Sequence, residues 1–249
     1  MKLAATLMTI AVTAVSMSAC AGPAATGSAQ PGTQVSLAGW KLTLPVDSGG
    51  QLSGNAAVVD QAEVRAPWLT RNTGGGLEFW APATGARTPH SQHSRTELVN
   101  STNFALGGAR HTLSATVEVT QLPSAAPNII IGQIHEPGPV PFLLLHYEGG
   151  RIFASWRTSL DGSTKAGEQQ LVSGVPLNSA FTYTITAEAG NTLGLSVTYN
   201  GATTSETVTV PAPFVGTQER FQAGDYQQAT TSSGPGDGGR VVFDALSAD

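Results

Sequence analysis

From position 40 onward, short apolar or alternating runs recur between clusters of Gly, Pro, Ser, Thr and Asn. Alternation with a period of two marks a strand that buries one face, and the clusters mark the turns between strands. The pattern predicts strands over 40–45, 77–81, 95–99, 111–121, 128–135, 142–147 and 151–157. It continues over 181–189, 193–199, 206–211, 220–227 and 240–247, with Asn200-Gly201 as a tight hairpin turn. So many short strands without helical periodicity imply an all-β chain, two antiparallel sheets packed as a sandwich. Gly74-Gly75-Gly76 reads as a loop, because a strand follows it and no Lys-Ser/Thr does. The segment 232–239 reads as a mobile loop before the last strand, either a plain connector or a cover for a substrate.

The N-terminal residues break this rhythm. Lys2 precedes an apolar stretch over 3–15 and then small residues, the layout of an export signal over 1–20, too short to span a membrane. Met17-Ser18-Ala19-Cys20 resembles a bacterial lipobox, in which Cys20 would carry the lipid; ordinary cleavage after Ala19-Cys20-Ala21 is the alternative. Residues 21–34, rich in Ala, Gly, Pro and Ser, read as a flexible tether ahead of a single domain over 35–249. Both alternatives send the domain outside the cell, secreted or lipid-anchored on the outer side of a bacterial membrane, and the anchor would be its only membrane contact. Since Cys20 is the one cysteine, the folded part must hold together without disulfides.

The length of 249 residues suits one large all-β domain, and 29 Gly, 15 Pro and only 12% charged residues suit a turn-rich fold. With 12 basic against 17 acidic residues the net charge is −5, and removing Lys2 with the leader makes it more negative. Nucleic-acid binding is therefore disfavoured. A chain of this charge binds an acidic polymer only if its few arginines gather along the binding surface. Nothing in the sequence specifies oligomer formation, and a monomer is expected.

Three predicted strands carry polar groups on a shared face. In Ser94-Arg95-Thr96-Glu97-Leu98, Arg95 and Glu97 fall together; in the run from Ile129 to His135, Gln133 and His135 do; in 220–228, Gln222, Tyr226 and Gln228 do. Singly, each has an ordinary explanation: a solvated ion pair, a structural histidine, a half-buried tyrosine. Jointly they supply an arginine, an amide, an imidazole and a phenol. That set suits β-elimination across C4 and C5 of a 4-linked uronate, where a carboxylate must be neutralised, the C5 proton removed and the departing oxygen protonated. No metal or cofactor is required by this chemistry. His93, two residues before Arg95, could reach the same surface, whereas His90, His111 and His146 read as structural or surface groups.

The three segments resemble marker blocks of the alginate lyases of polysaccharide lyase family 7, R-T/S-E-L-R, Q-I/V-H and Y-F-K-A-G-x-Y-x-Q. They stand here as Arg95-Thr96-Glu97-Leu98-Val99, Gln133-Ile134-His135 and Arg220-Phe221-Gln222-Ala223-Gly224-Asp225-Tyr226-Gln227-Gln228. Flanking stretches such as Trp40-Lys41-Leu42-Thr43-Leu44-Pro45 extend the likeness over 40–247. The resemblance implies a β-jelly roll with a substrate groove on its concave face and an anionic polysaccharide as substrate. It also implies roles: Arg95 and Gln133 neutralise the carboxylate, His135 assists or acts as base, Tyr226 donates the proton, and Glu97 orients Arg95. Gln222, Gln228 and His93 would contact substrate. Ile134 is the residue associated with guluronate-containing polymers. Val99 and Gln222 replace an arginine and a lysine of the blocks, which thins the positive charge and leaves another uronan, such as a glucuronan, as the alternative substrate. A non-catalytic sugar-binding jelly roll is the rival function, with Trp68, Trp80 and Trp156 as candidate groove platforms.

Overall fold

Period-two burial builds the molecule. In the computed structural model, which describes residues 34–135, 140–161 and 165–249, the strand His111–Gln121 turns Leu113, Ala115, Val117 and Val119 inward and its Thr and Ser residues outward. The leader 1–20 with Cys20, and the tether up to residue 33, lie outside the described residues. In chain order the strands are β1 (Trp40–Thr43), β2 (Val58–Val59), β3 (Leu69–Arg71), β4 (Leu77–Pro82), β5 (Thr96–Asn100), β6 (Phe104–Ala105), β7 (His111–Gln121) and β8 (Asn128–His135). They continue as β9 (Pro141–Glu148), β10 (Arg151–Arg157), β11 (Lys165–Val172), β12 (Phe181–Ala187), β13 (Thr192–Tyr199), β14 (Ala202–Thr209), β15 (Gln218–Gln227) and β16 (Gly238–Ala248). One 3-10 turn, Ala212–Phe214, separates β14 from β15.

A nine-stranded sheet runs β11-β10-β9-β8-β15-β5-β1-β2, with β6 pairing the start of β15, and a seven-stranded sheet runs β14-β13-β12-β7-β16-β4-β3. All these pairings are antiparallel, and β15 and β16 each insert into the middle of a sheet. This is the expected jelly-roll sandwich. The inner faces meet through Leu42, Leu98, Ile134, Leu145 and Phe221 from one sheet and Phe79, Val117, Tyr183 and Phe243 from the other, all buried. Burying each of the larger side chains contributes roughly 1.5–3 kcal/mol, which is how a domain without disulfides holds together.

Strands that the sequence pattern does not predict lie mostly at sheet margins. β2, β3 and β11 are edge strands, and β14, also an edge, starts at Ala202 rather than at 206. An edge strand needs no inward-facing apolar row, so its sequence carries no alternation. The Asn200-Gly201 hairpin is present, with both residues at positive φ, 49° and 77°. The 232–239 segment is a tied turn rather than a loose loop. The Asp237 carboxylate accepts hydrogen bonds from the backbone N–H and hydroxyl of both Ser124 and Ser233, at 2.6–3.1 Å.

One irregularity positions the site. β8 shifts register between Ile130 and Gly132, and the Tyr183 hydroxyl, rising from β12 of the opposite sheet, donates to the Ile131 carbonyl at 2.9 Å. A Cβ on Gly132 would lie 2.9 Å from that hydroxyl, so glycine is required for the contact. The bulge lets Ile130, Gln133 and His135 all reach the outer face while Ile129, Ile131 and Ile134 stay in the core.

Candidate active site

Strand register lays out the outer face of the nine-stranded sheet in rows. Lys41 pairs with Val99, Val99 with Gln222, Gln222 with Gln133, Gln133 with Leu144, and Leu144 with Ser155. All six line one groove of about 590 Å³. Two residues along β15 from Gln222, Arg220 pairs with His135. In the other direction Glu97 faces Thr43 and Gly224. A Cβ on Gly224 would fall 2.6 Å from the Thr96 carbonyl oxygen and 2.9 Å from the Glu97 Cα, and φ there is +152°, so a side chain is excluded beside Glu97.

Glu97 is fully buried beneath the groove and ties two functional groups together. Its Oε2 accepts from Arg95 Nη1 at 3.0 Å, and its Oε1 accepts from Gln133 Nε2. Arg95 in turn lies over the Tyr226 ring, 3.5 Å from its centroid. The Arg95 Nε and the Gln133 Oε1 are buried without hydrogen-bond partners. Burial pushes the Glu97 carboxyl above its ordinary range, and the Arg95 charge with the hydrogen bonds from Gln133 and Arg95 pulls it back only in part.

The segment before β5 closes the site from one side. Gln227, itself buried, donates from Nε2 to the Pro82 and Ala83 carbonyls and to the Ser94 hydroxyl, and accepts the Ala229 N–H. That clamp sets Ser91 and His93 against Tyr226. The Ser91 and Tyr226 hydroxyls are 3.0 Å apart, and the His93 ring meets the Tyr226 ring edge-on at 6.1 Å. Burial holds the His93 imidazole below the usual histidine range despite its 3.3 Å contact with the Ala229 carbonyl, with Arg95 and Arg87 adding to the drop.

Charge is distributed unevenly. Lys41, Arg95, Arg157 and Arg220 line the groove together with His90, His93, His135 and His146, and among the described residues no Asp or Glu lines it. On a chain of net charge −5 this gathers the cations where an acidic polymer would lie. Among the described residues no group of three or more His, Cys, Asp or Glu side chains is placed to hold a metal ion.

Arg95, Gln133, His135, Tyr226, Gln222, Gln228 and His93 therefore share one groove, with Glu97 beneath them. Two histidine expectations change: His90 and His146 also line the groove. His146 bonds Asn128 at 3.1 Å and Ser155 at 2.9 Å and stacks on Phe153, whereas His111 is structural, stacked on Phe104. The tryptophan platforms do not materialise. Trp68 and Trp156 pack against the core, Trp80 lies under Arg240 on the other sheet, and none of the three lines the groove. No role is assigned from sequence to Ser91, Gln227 or Arg220. The last is a third departure from the marker blocks, an arginine where the third block begins with Tyr.

The family model for alginate lyase matches residues 35–249. The chain belongs to the alginate lyase family. An alginate lyase from Klebsiella pneumoniae is 26% identical over 282 residues, covering 88% of this chain and 90% of that protein. The crystal structure of the alginate lyase from Klebsiella pneumoniae superposes on this lyase with a TM-score of 0.76 at 22% identity, over 88% of this chain and 98% of its own. An alginate lyase from Pseudomonas aeruginosa gives a TM-score of 0.75 at 27% identity, over 86% and 99%. A family 7 alginate lyase, A1-II′, solved with a product (GGG), gives 0.73 at 25%, over 88% and 98%.

Proposed function

We propose that this lyase cleaves alginate, with guluronate-containing stretches preferred, by β-elimination that leaves an unsaturated uronate at the new end. One observation carries the reading: Arg95, Gln133, His135 and Tyr226 all line one groove, and no carboxylate among the described residues lines it with them. Arg95, anchored through Nη1 on Glu97, has further N–H groups to give a substrate carboxylate, and with Gln133 it would stabilise the charge that develops there. His135 or Tyr226 takes the C5 proton, depending on the epimer. As the C5–H electrons form the C4–C5 double bond, the C4–O bond breaks and the Tyr226 hydroxyl protonates the leaving oxygen. Glu97 positions both Arg95 and Gln133, and Gln222, Gln228 and His93 contact the bound sugar chain. The reading extends to location: the leader of 1–20 exports a domain of 35–249, and Cys20 anchors it by lipid if it is not removed with the leader.

The experiment is incubation of the purified domain with polyguluronate, polymannuronate, mixed alginate and glucuronan, read by the ultraviolet absorbance of the new double bond. Absorbance rising fastest on guluronate-containing alginate is expected; silence on every uronan would overturn the activity. Val99 and Gln222, which line the groove without charge, favour one second reading. If glucuronan is cut and alginate is not, that reading replaces the first.

A further inference from the structure

We propose that Arg220 is a specificity-determining cation of this lyase, binding the carboxylate of a uronate next to the cleaved one on the His135 side of the groove. The inference rests on the reading of the groove as the binding site of a uronan, and it goes beyond that reading in naming where a displaced charge acts.

Arg220 lines the groove and is half-buried, with its Cα in register with that of His135. Among the described residues it makes no ion pair. Its Nε is buried without a hydrogen-bond partner, a costly arrangement for a group that offers five donors in a fixed fork. Guanidinium stays charged at neutral pH, so an anion arriving in the groove finds a pre-positioned, under-used bidentate site. Nearby Glu97 and Glu219 act on Arg220 through charge, and burial outweighs them, favouring an external anion as the missing partner.

The neighbouring positions explain why the cation stands there. Gln222 and Val99 are adjacent on the central row, and both are uncharged where the marker blocks carry Lys and Arg. Arg220 is on the same face of the same strand, two residues or roughly 7 Å from position 222. The positive charge has moved along β15 rather than vanished. A uronan carries a carboxylate on every sugar, so a cation displaced by that step still meets one, on a different residue of the polymer from the one a lysine at 222 would reach.

The test uses the intact domain, its Arg220→Gln and Arg220→Lys variants and the double variant Arg220→Gln/Gln222→Lys, each checked for fold by circular dichroism. On the polymer that the wild type cuts, Arg220→Gln should raise KM about ten- to hundredfold, the scale of one lost charge-assisted contact, with a smaller change in kcat. The dependence of log KM on log salt should flatten. Arg220→Lys should recover part of the loss, and adding Gln222→Lys to Arg220→Gln should recover part of it with an altered preference among uronans. An unchanged KM and salt slope in Arg220→Gln, or a loss confined to kcat, would overturn the proposal. Should Arg220→Gln fail to fold, Arg220→Tyr must show the same KM rise. A wild type that forms no unsaturated product refutes the lyase reading instead. Calorimetric titration of wild type and Arg220→Gln with alginate oligosaccharides then still decides Arg220, equal affinities counting against it.

Discussion

The guanidinium of Arg95 rests 3.5 Å from the centre of the Tyr226 ring, although the two residues lie far apart in the chain, one just before β5 and the other on β15. The stack fixes the ring, and Ser91 holds the hydroxyl at 3.0 Å, so the phenol is oriented from two directions. Tyr226→Phe keeps the stack and removes only the oxygen. It should lower kcat by about 10²–10⁴-fold with thermal stability close to wild type, and His135→Ala should do the same. Initial rates of double-bond formation in both variants are the check. Wild-type rates in the two would remove these residues from the mechanism.

Glu97→Gln is the second expectation. The amide keeps the shape but withdraws the negative charge between Arg95 and Gln133, and hydrogen bonds to charged groups contribute about 1.5–3 kcal/mol, so kcat/KM should fall at least roughly tenfold. The pH profile separates this from a packing defect. Burial lifts the Glu97 carboxyl above its ordinary range, so in the wild type it takes up a proton as pH falls through that raised value and Arg95 loses its anionic partner. Activity is then lost on the acid side. The variant has nothing to titrate there, and its kcat/KM should lack that part of the acid limb.

Gly224→Ala should damage fold and site together. The added methyl would lie 2.6 Å from a backbone oxygen and 2.9 Å from the Cα of Glu97. Neither atom belongs to a flexible side-chain tip, so relief requires β5 and β15 to part. A loss of about 1–3 kcal/mol in urea unfolding is expected, accompanied by lower kcat/KM.

The turn tied by Asp237 predicts a pH-dependent stability. Four hydrogen bonds from the two serines hold this carboxyl down to about 2, below its ordinary value of 3.8. A depressed folded-state value means the contribution is fully present above the ordinary value and is lost as pH falls through about 2. Asp237→Asn should therefore melt lower than wild type near neutrality, and the gap should close as melting curves are taken toward pH 2. A gap of constant width would show that the charge of Asp237 is irrelevant to the turn.

What the sequence made legible follows from parity. Gln133, His135, Gln222 and Tyr226 sit on strands where alternation dictates which residues of each strand share a face, and the resemblance of the three blocks to the family implied that those faces meet in one groove. Ser91 could not be anticipated, because it lies outside the strands, on a segment that tertiary contacts, the Gln227 clamp among them, bring to Tyr226. His146 reads as an isolated polar residue in an apolar strand until β9 is seen beside β8, facing the same groove. The edge strands β2, β3 and β11 were hidden for a different reason: they bury no regular apolar row. The bulge at Ile131 depends on a tyrosine from the other sheet, a contact that no local pattern announces.

The groove lined by Lys41, Arg95, Arg157 and Arg220, set in a molecule of net negative charge, has a kinetic consequence. At long range the net charge repels a polyanion, and only near the cationic face does the field reverse. Approach is thereby oriented, with off-target faces disfavoured and the long axis of the polymer drawn toward the rows of the sheet. Salt weakens both parts of this field, the repulsion acting over longer distances first. The association rate should then pass through a maximum at intermediate ionic strength instead of falling steadily, a signature that stopped-flow capture of polymer at graded salt would reveal.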